Sequence, residues 1–209
     1  MRARDVDLYR VKSLANGQIM HLVFDTQRNL CQSMLRIEEF YESPKFANKY
    51  FTLEEYKEWY KASRNQNKFT YYSDWAGFNI PAPVVRDFFD IFRNDLSQIE
   101  AKILLDLFAD ARAKYLIASF DGEKSEYVVE HEIAHAAFSI DPKYKDRALA
   151  IVHSLGEDKL DSEISLMRIR GYAAHVIFDE IHAYAVDKDS KLPCAQEIRA
   201  NFLNWLSNQ

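Results

Sequence analysis

Apolar residues along this chain recur first with the two-residue period of strands and then mostly with the period of helices. Two strand-like runs between Tyr9 and Asp25 flank Asn16-Gly17, a dipeptide suited to a hairpin turn because both residues tolerate positive φ, and they predict a β-hairpin. The stretch Leu30 to Tyr41 fits neither period and is left open between strand and helix. Thr52-Leu53-Glu54-Glu55 is a capping box that opens a short helix through about Ala62. Pro81 and Pro83 punctuate the start of another, carrying Val84, Val85, Phe88, Phe89 and Phe92. Ser97-Gln98-Ile99-Glu100 is a second capping box, with Ile99, Ile103, Leu104, Leu107 and Phe108 on one face of a helix expected to reach about Lys114. Residues 115–120 read as a strand, and Asp121-Gly122 turns the chain into an apolar helix.

That helix is expected to stop near Ile140, because Asp141-Pro142 supplies an N-cap and a first-position proline for the next one, which Gly156 closes. The longest predicted helix runs from about Asp161 to Val186. Ile198, Phe202, Leu203 and Leu206 mark a C-terminal amphipathic helix after Pro193. No internal repeat or low-complexity linker interrupts the chain. The expected fold class is α+β, mostly helical with a small N-terminal sheet, as a single domain over 1–209 in which 1–50 could form a small β lobe.

Composition narrows the partners. With 48% hydrophobic residues in 209, the chain can bury a full core. Its net charge is −5, with 27 basic and 32 acidic residues well mixed, so no basic stripe offers a footprint for nucleic acid. Residues Met1 to Asp7 lack the apolar core of a signal peptide and no run approaches 18 apolar residues, so a cytoplasmic protein without a membrane segment is expected. Cys31 and Cys194 lack paired spacing and read as reduced, structural thiols. The aromatic run from Phe69 to Phe78 reads as core or as the lining of a cleft.

The chemistry concentrates in His131-Glu132-Ile133-Ala134-His135, an H-E-x-x-H pattern that random order of this composition would produce in roughly one chain in a hundred. On a helix the two histidines stand one turn apart and can grip one ion, and Glu132, rotated about 100° from His131, can take a proton from water beside it. Tyr127, Val128 and Val129 before the motif and Ala136, Ala137 and Phe138 after it make the helix apolar nearly all round. Its imidazoles and carboxylate are therefore expected to leave water together, which a shared cation offsets. A catalytic zinc needs a third protein ligand, and Phe178-Asp179-Glu180-Ile181-His182 supplies candidates. Glu180 shares an apolar stripe with Ile169, Ala173, Val176, Ile177, Ala183 and Tyr184, whereas Asp179 falls on a polar stripe with Tyr172, His175 and His182. Glu180 is thus the expected ligand, and Asp179 is expected to hold a ligand histidine through its other ring nitrogen.

His131-Glu132-x-x-His135 followed by a helical Glu180 and Ala183 resembles the gluzincin branch of the zincin-like metallopeptidases, and the chain as a whole is similar to bacterial zincin-like proteins. The resemblance covers two short segments. It implies one Zn²⁺ on His131, His135 and Glu180, Glu132 as general base in peptide-bond hydrolysis, a peptide or protein substrate, and strand 115–120 as a backbone edge for that substrate. Asp179 stands where an Asn often precedes the ligand Glu, and no G-A-M-E-N-like segment is present, so aminopeptidase specificity is not implied. Tyr172, His175, His182 and Tyr184 are candidates to stabilise an oxyanion. Two other readings compete. Glu132-x-x-His135 and Asp179-x-x-His182 have the spacing of helical di-iron proteins, with Glu100 as a further carboxylate, and a non-catalytic metal-binding or interaction protein could close its site with Asp179 or His182.

Overall fold

The computed structural model describes residues 8–122 and 125–209, the side chains of 125 and 126 apart; the N-terminal segment 1–7 considered above lies outside them. The first strands, β1 (Tyr9–Leu14) and β2 (Ile19–Phe24), form the expected antiparallel hairpin. Leu14 pairs with Ile19 across residues 15–18, and Asn16 (φ 54°) and Gly17 (φ 90°) take the left-handed conformations that such a turn requires. Helix α1 (Gln27–Glu42) follows, N-capped by Thr26, and resolves the ambiguous segment as helix. Its pattern was illegible because Glu38 and Glu39 are buried together with Leu30, Met34, Leu35, Ile37 and Phe40, so acids sit where a period argument expects solvent.

Both capping boxes form, opening α2 (Leu53–Ser63) and, further on, α5. Between them lie α3 (Tyr71–Asp74), β3 (Gly77–Pro81) and α4 (Ala82–Phe92). Helix α5 (Gln98–Ala109) ends short of Lys114 because Asp110 turns extended. Strand β4 (Tyr115–Phe120) leads to α6 (Ser125–Ile140), and Asp141 caps α7 (Pro142–His153) by accepting from the amides of Lys143 and Tyr144. The predicted long helix is two: α8 (Glu157–Arg170) stops at Gly171, whose φ of 101° is a left-handed C-cap, and α9 (Ile177–Val186) begins after a loop. The stripe drawn across both therefore does not exist as one face; Ile169 is 83% exposed. Helix α10 (Ala195–Leu206) closes the chain.

The sheet order is β1-β2-β4-β3, with β2 parallel to β4 and β3 antiparallel to β4. The hairpin thus joins the common sheet and does not stand apart. Alternation along the strands sends Met20, Leu22, Phe24, Leu116 and Ala118 into a core with α1, α2, α4 and α5, and Ile19, Tyr115 and Ile117 into a second core with α6 to α10. The fold is α+β and mostly helical, as expected. Strand β4 is interior, so it cannot offer the backbone edge assigned to it; that place belongs to β3, which pairs on one side only with β4 and packs against α6. Its short run ends in Pro81, a residue suited to outer strands because it lacks a donor. Among the described residues no helix is long and apolar enough to cross a membrane.

Candidate metal centre

Helix α6 is held between β3 and β4 on one side and α9 on the other. Ala134, Ala136 and Ala137 are fully buried and leave room for close approach, and Ala183 and Ala185 do the same on α9. The facing turns bring His131, His135 and Glu180 together, with one ligand atom from each within 4.8 Å of the others. The two imidazole Nε2 atoms lie 3.3 Å apart, and Glu180 Oε1 lies 3.7 Å from His135 Nε2. Tetrahedral zinc with nitrogen ligands at about 2.0–2.1 Å places two such nitrogens about 3.3–3.4 Å apart, so the donor set fits that ion.

The far ring nitrogens point the same way. His131 Nδ1 is 3.1 Å from Asp187 Oδ1, and His135 Nδ1 is 3.0 Å from Asp179 Oδ1, the latter an ion-pair distance that does not meet hydrogen-bond geometry. If each Nδ1 carries the proton facing its aspartate, the two Nε2 lone pairs face each other, an arrangement that a shared proton or a bound cation would relieve. Asp179 lies against the Nδ1 side of His135. Asp187 plays the matching part for His131 and was not foreseen, since a residue just past the end of α9 carries no periodic signal.

Charge inside the cluster is balanced mainly by proximity. Burial opposes the charged form of His135, but Asp179 and Glu180 outweigh it and hold the imidazole well above its ordinary range. Burial alone would raise Asp179; His135 and His182 reverse that and bring it down to about 2. Burial raises Glu180, with His135 and His131 acting against it. Glu180 Oε2 is buried without a hydrogen-bond partner, a cost that a bound cation would remove.

Glu132 lines the same cavity from the same helix. Asn79 Nδ2 on β3 donates to Glu132 Oε2 at 3.0 Å, and Tyr115 on β4 donates to Asn79 Oδ1 at 2.7 Å, so a relay across the sheet fixes the carboxylate. Gly77 makes room for it: a Cβ there would overlap Glu132 Oε1 and Val128 Cγ1. Burial raises the Glu132 carboxyl, with His131, His135 and Asn79 pulling the other way. A base poised above the ordinary carboxylate range is better matched to neutral water.

The cavity, about 1270 Å³, is lined by Glu132, His131, His135 and Glu180, by Tyr172 and Tyr184, and by Gly77, Phe78 and Asn79 of β3. The aromatic run therefore serves both readings: Tyr71 is fully buried, yet Tyr71, Trp75 and Phe78 also line the cleft. The oxyanion candidates narrow to the tyrosines. Their hydroxyls are 3.0 Å apart, and the Tyr184 ring stands edge-on to His131 at 5.1 Å. His182 is fully buried with Nε2 2.6 Å from the Tyr144 hydroxyl, and His175 is exposed against the Tyr41 ring; neither lines the cavity.

The pairs needed by the di-iron reading are otherwise engaged. Glu100 is held by Arg36 at 2.6 and 2.8 Å, Asp179 faces His135, and His182 bonds Tyr144. The group of close ligand atoms among the described residues has three members, and Asp179 and His182 do not join it. Sequence reading missed Glu38, Glu39 and Glu42 of α1, which line the opposite wall. Cys31 is remote from this chemistry: its thiol donates to the Trp75 carbonyl and is pushed up to about 12 by burial. Comparisons with family models, with curated proteins and with solved structures found no match for the chain.

Proposed function

We propose that the chain is a zinc-dependent hydrolase acting on peptide bonds, with His131, His135 and Glu180 as ligands and Glu132 as general base. The observation that carries this is the clustering of one ligand atom each from His131, His135 and Glu180 within 4.8 Å of one another, each histidine being backed by an aspartate. A zinc ion there would supply Lewis-acid polarisation of a carbonyl and lower the pKa of a water. Glu132, fixed by Asn79, takes the proton of the attacking water and can return it to the departing amine. The hydroxyls of Tyr172 and Tyr184 line the cleft and can donate to the developing oxyanion. The outer edge of β3 offers backbone groups to an extended substrate, and its Gly77 to Asn79 stretch borders the cavity.

Purified protein loaded with one equivalent of zinc is expected to cleave a mixed peptide library, with loss of cleavage on chelation and in Glu132→Gln. Stoichiometric zinc without hydrolysis of any peptide would favour the non-catalytic metal-binding reading.

A further inference from the structure

The wall facing the metal-ligand triad is made of carboxyls. Glu38 and Glu42 are one helical turn apart on α1, their side chains lie against each other, and both line the cavity. Glu38 is 6% exposed, and its Oε2 has no hydrogen-bond partner. The charges that bear on this pair are Glu132, Glu180 and His135 from the candidate metal centre and Glu39 from α1 itself. Glu42, beside Glu38, is half-buried, and two adjacent carboxyls in such a place gain from a cation that joins them. The aromatic side chains of Tyr71 and Trp75 line the same cavity and could pack along an aliphatic stem. Glu39 is engaged differently, beside the hydroxyls of Tyr56 and Tyr71 and within reach of Arg64.

We propose that Glu38 and Glu42 form a subsite for a positively charged group of the substrate, an alkylammonium or guanidinium, so that the enzyme favours substrates with a basic group beside the scissile bond. This rests on the zinc hydrolase reading. The group can be a lysine or arginine side chain or a free amino terminus; the recognition chemistry is shared. A second metal ion is a weaker occupant, because Glu38 and Glu42 do not join any group of three close ligand atoms among the described residues.

The test uses zinc-loaded full-length protein and calorimetric binding of short peptide hydroxamates carrying lysine or the isosteric, uncharged norleucine, each with a free and an acetylated amino terminus. The hydroxamate reports on the metal centre, and the lysine-to-norleucine ratio reports on the wall. The expected result is a preference of about ten- to a hundredfold for the charged ligand, the range for hydrogen bonds to a charged group. That ratio should fall towards one in Glu38→Gln and in Glu42→Gln, isosteric changes checked for retained zinc. If acetylation weakens binding by that factor while lysine and norleucine bind alike, the terminal amine is the ligand; if lysine is preferred and acetylation has no effect, the side chain is. Equal binding of all four ligands, lysyl and norleucyl, free and acetylated, would overturn the subsite while leaving the hydrolase reading intact. Failure of every hydroxamate to bind would overturn both. Two zinc ions per chain, falling to one in the Gln variants, would replace the substrate cation with a metal.

Discussion

At the residue scale, the account assigns different work to neighbours on one helical turn. Glu132 lies outside the ligand group, and in the proposed reaction it takes the proton, so Glu132→Gln should keep zinc and lower kcat by about 10²–10⁴-fold. Zinc loss in that variant as complete as in His131→Ala would make Glu132 a ligand instead. Gly77 gives a second test without touching a charged group. Its Cβ would push into Glu132 and Val128, so Gly77→Ala should displace the base, lowering kcat while zinc remains bound and the fold persists. Unchanged kcat in Gly77→Ala would show that the position of Glu132 is not critical. At this scale the H-E-x-x-H spacing and Glu180 were legible as candidates, and the fold brings His131, His135 and Glu180 close together. Asn79, Gly77 and Asp187 were not legible, because each acts through a tertiary contact 53 or more residues away or through a missing side chain.

At the element scale, the centre depends on how α9 faces α6. Glu180 Oε1 enters the ligand group, Asp179 stands behind His135, and His182 bonds Tyr144 on α7. Glu180→Ala should therefore empty the site, Asp179→Asn should weaken zinc binding about 10–100-fold, and His182→Ala should lower stability while leaving the metal in place. Zinc affinities settle the order: if His182→Ala empties the site and Glu180→Ala does not, the assignment is wrong. Glu180 lies near His131 and His135 although the premise of one long helix fails at Gly171, because the local face of α9 alone carries Ile177, Glu180, Ala183 and Tyr184. Helix α1 was ambiguous for the opposite reason. Its buried glutamates erase the polar face on which periodicity depends, and the same glutamates make it the acidic wall of the cleft. Strand β3, five residues ending in proline, was too short to announce itself and took the edge position expected of β4.

At the scale of the whole molecule, the sheet contains a buried pH-sensitive contact. His21 on β2 and Ser119 on β4 are 2.8 Å apart between the layers, and burial, with Lys12 and Arg10 on β1, lowers the imidazole to about 4. The folded value lies below the unfolded one of about 6.5. As pH falls from about 6.5 to about 4, the unfolded chain takes up a proton that the fold refuses, so stability drops by up to about 3 kcal/mol and no further below that window. His135, raised in the fold, acts in the opposite direction, so the test is a difference. Urea unfolding at pH 7 and pH 4.5 should show a smaller loss in His21→Gln than in the parent; equal losses would remove His21 from the account.

The central claim is that two helices and the three side chains they bring together hold one zinc ion. Elemental analysis of purified protein, alongside His135→Ala, tests it directly. The account predicts close to one zinc per chain in the parent and none in the variant. No stoichiometric metal after zinc loading, or two irons per chain, would contradict it.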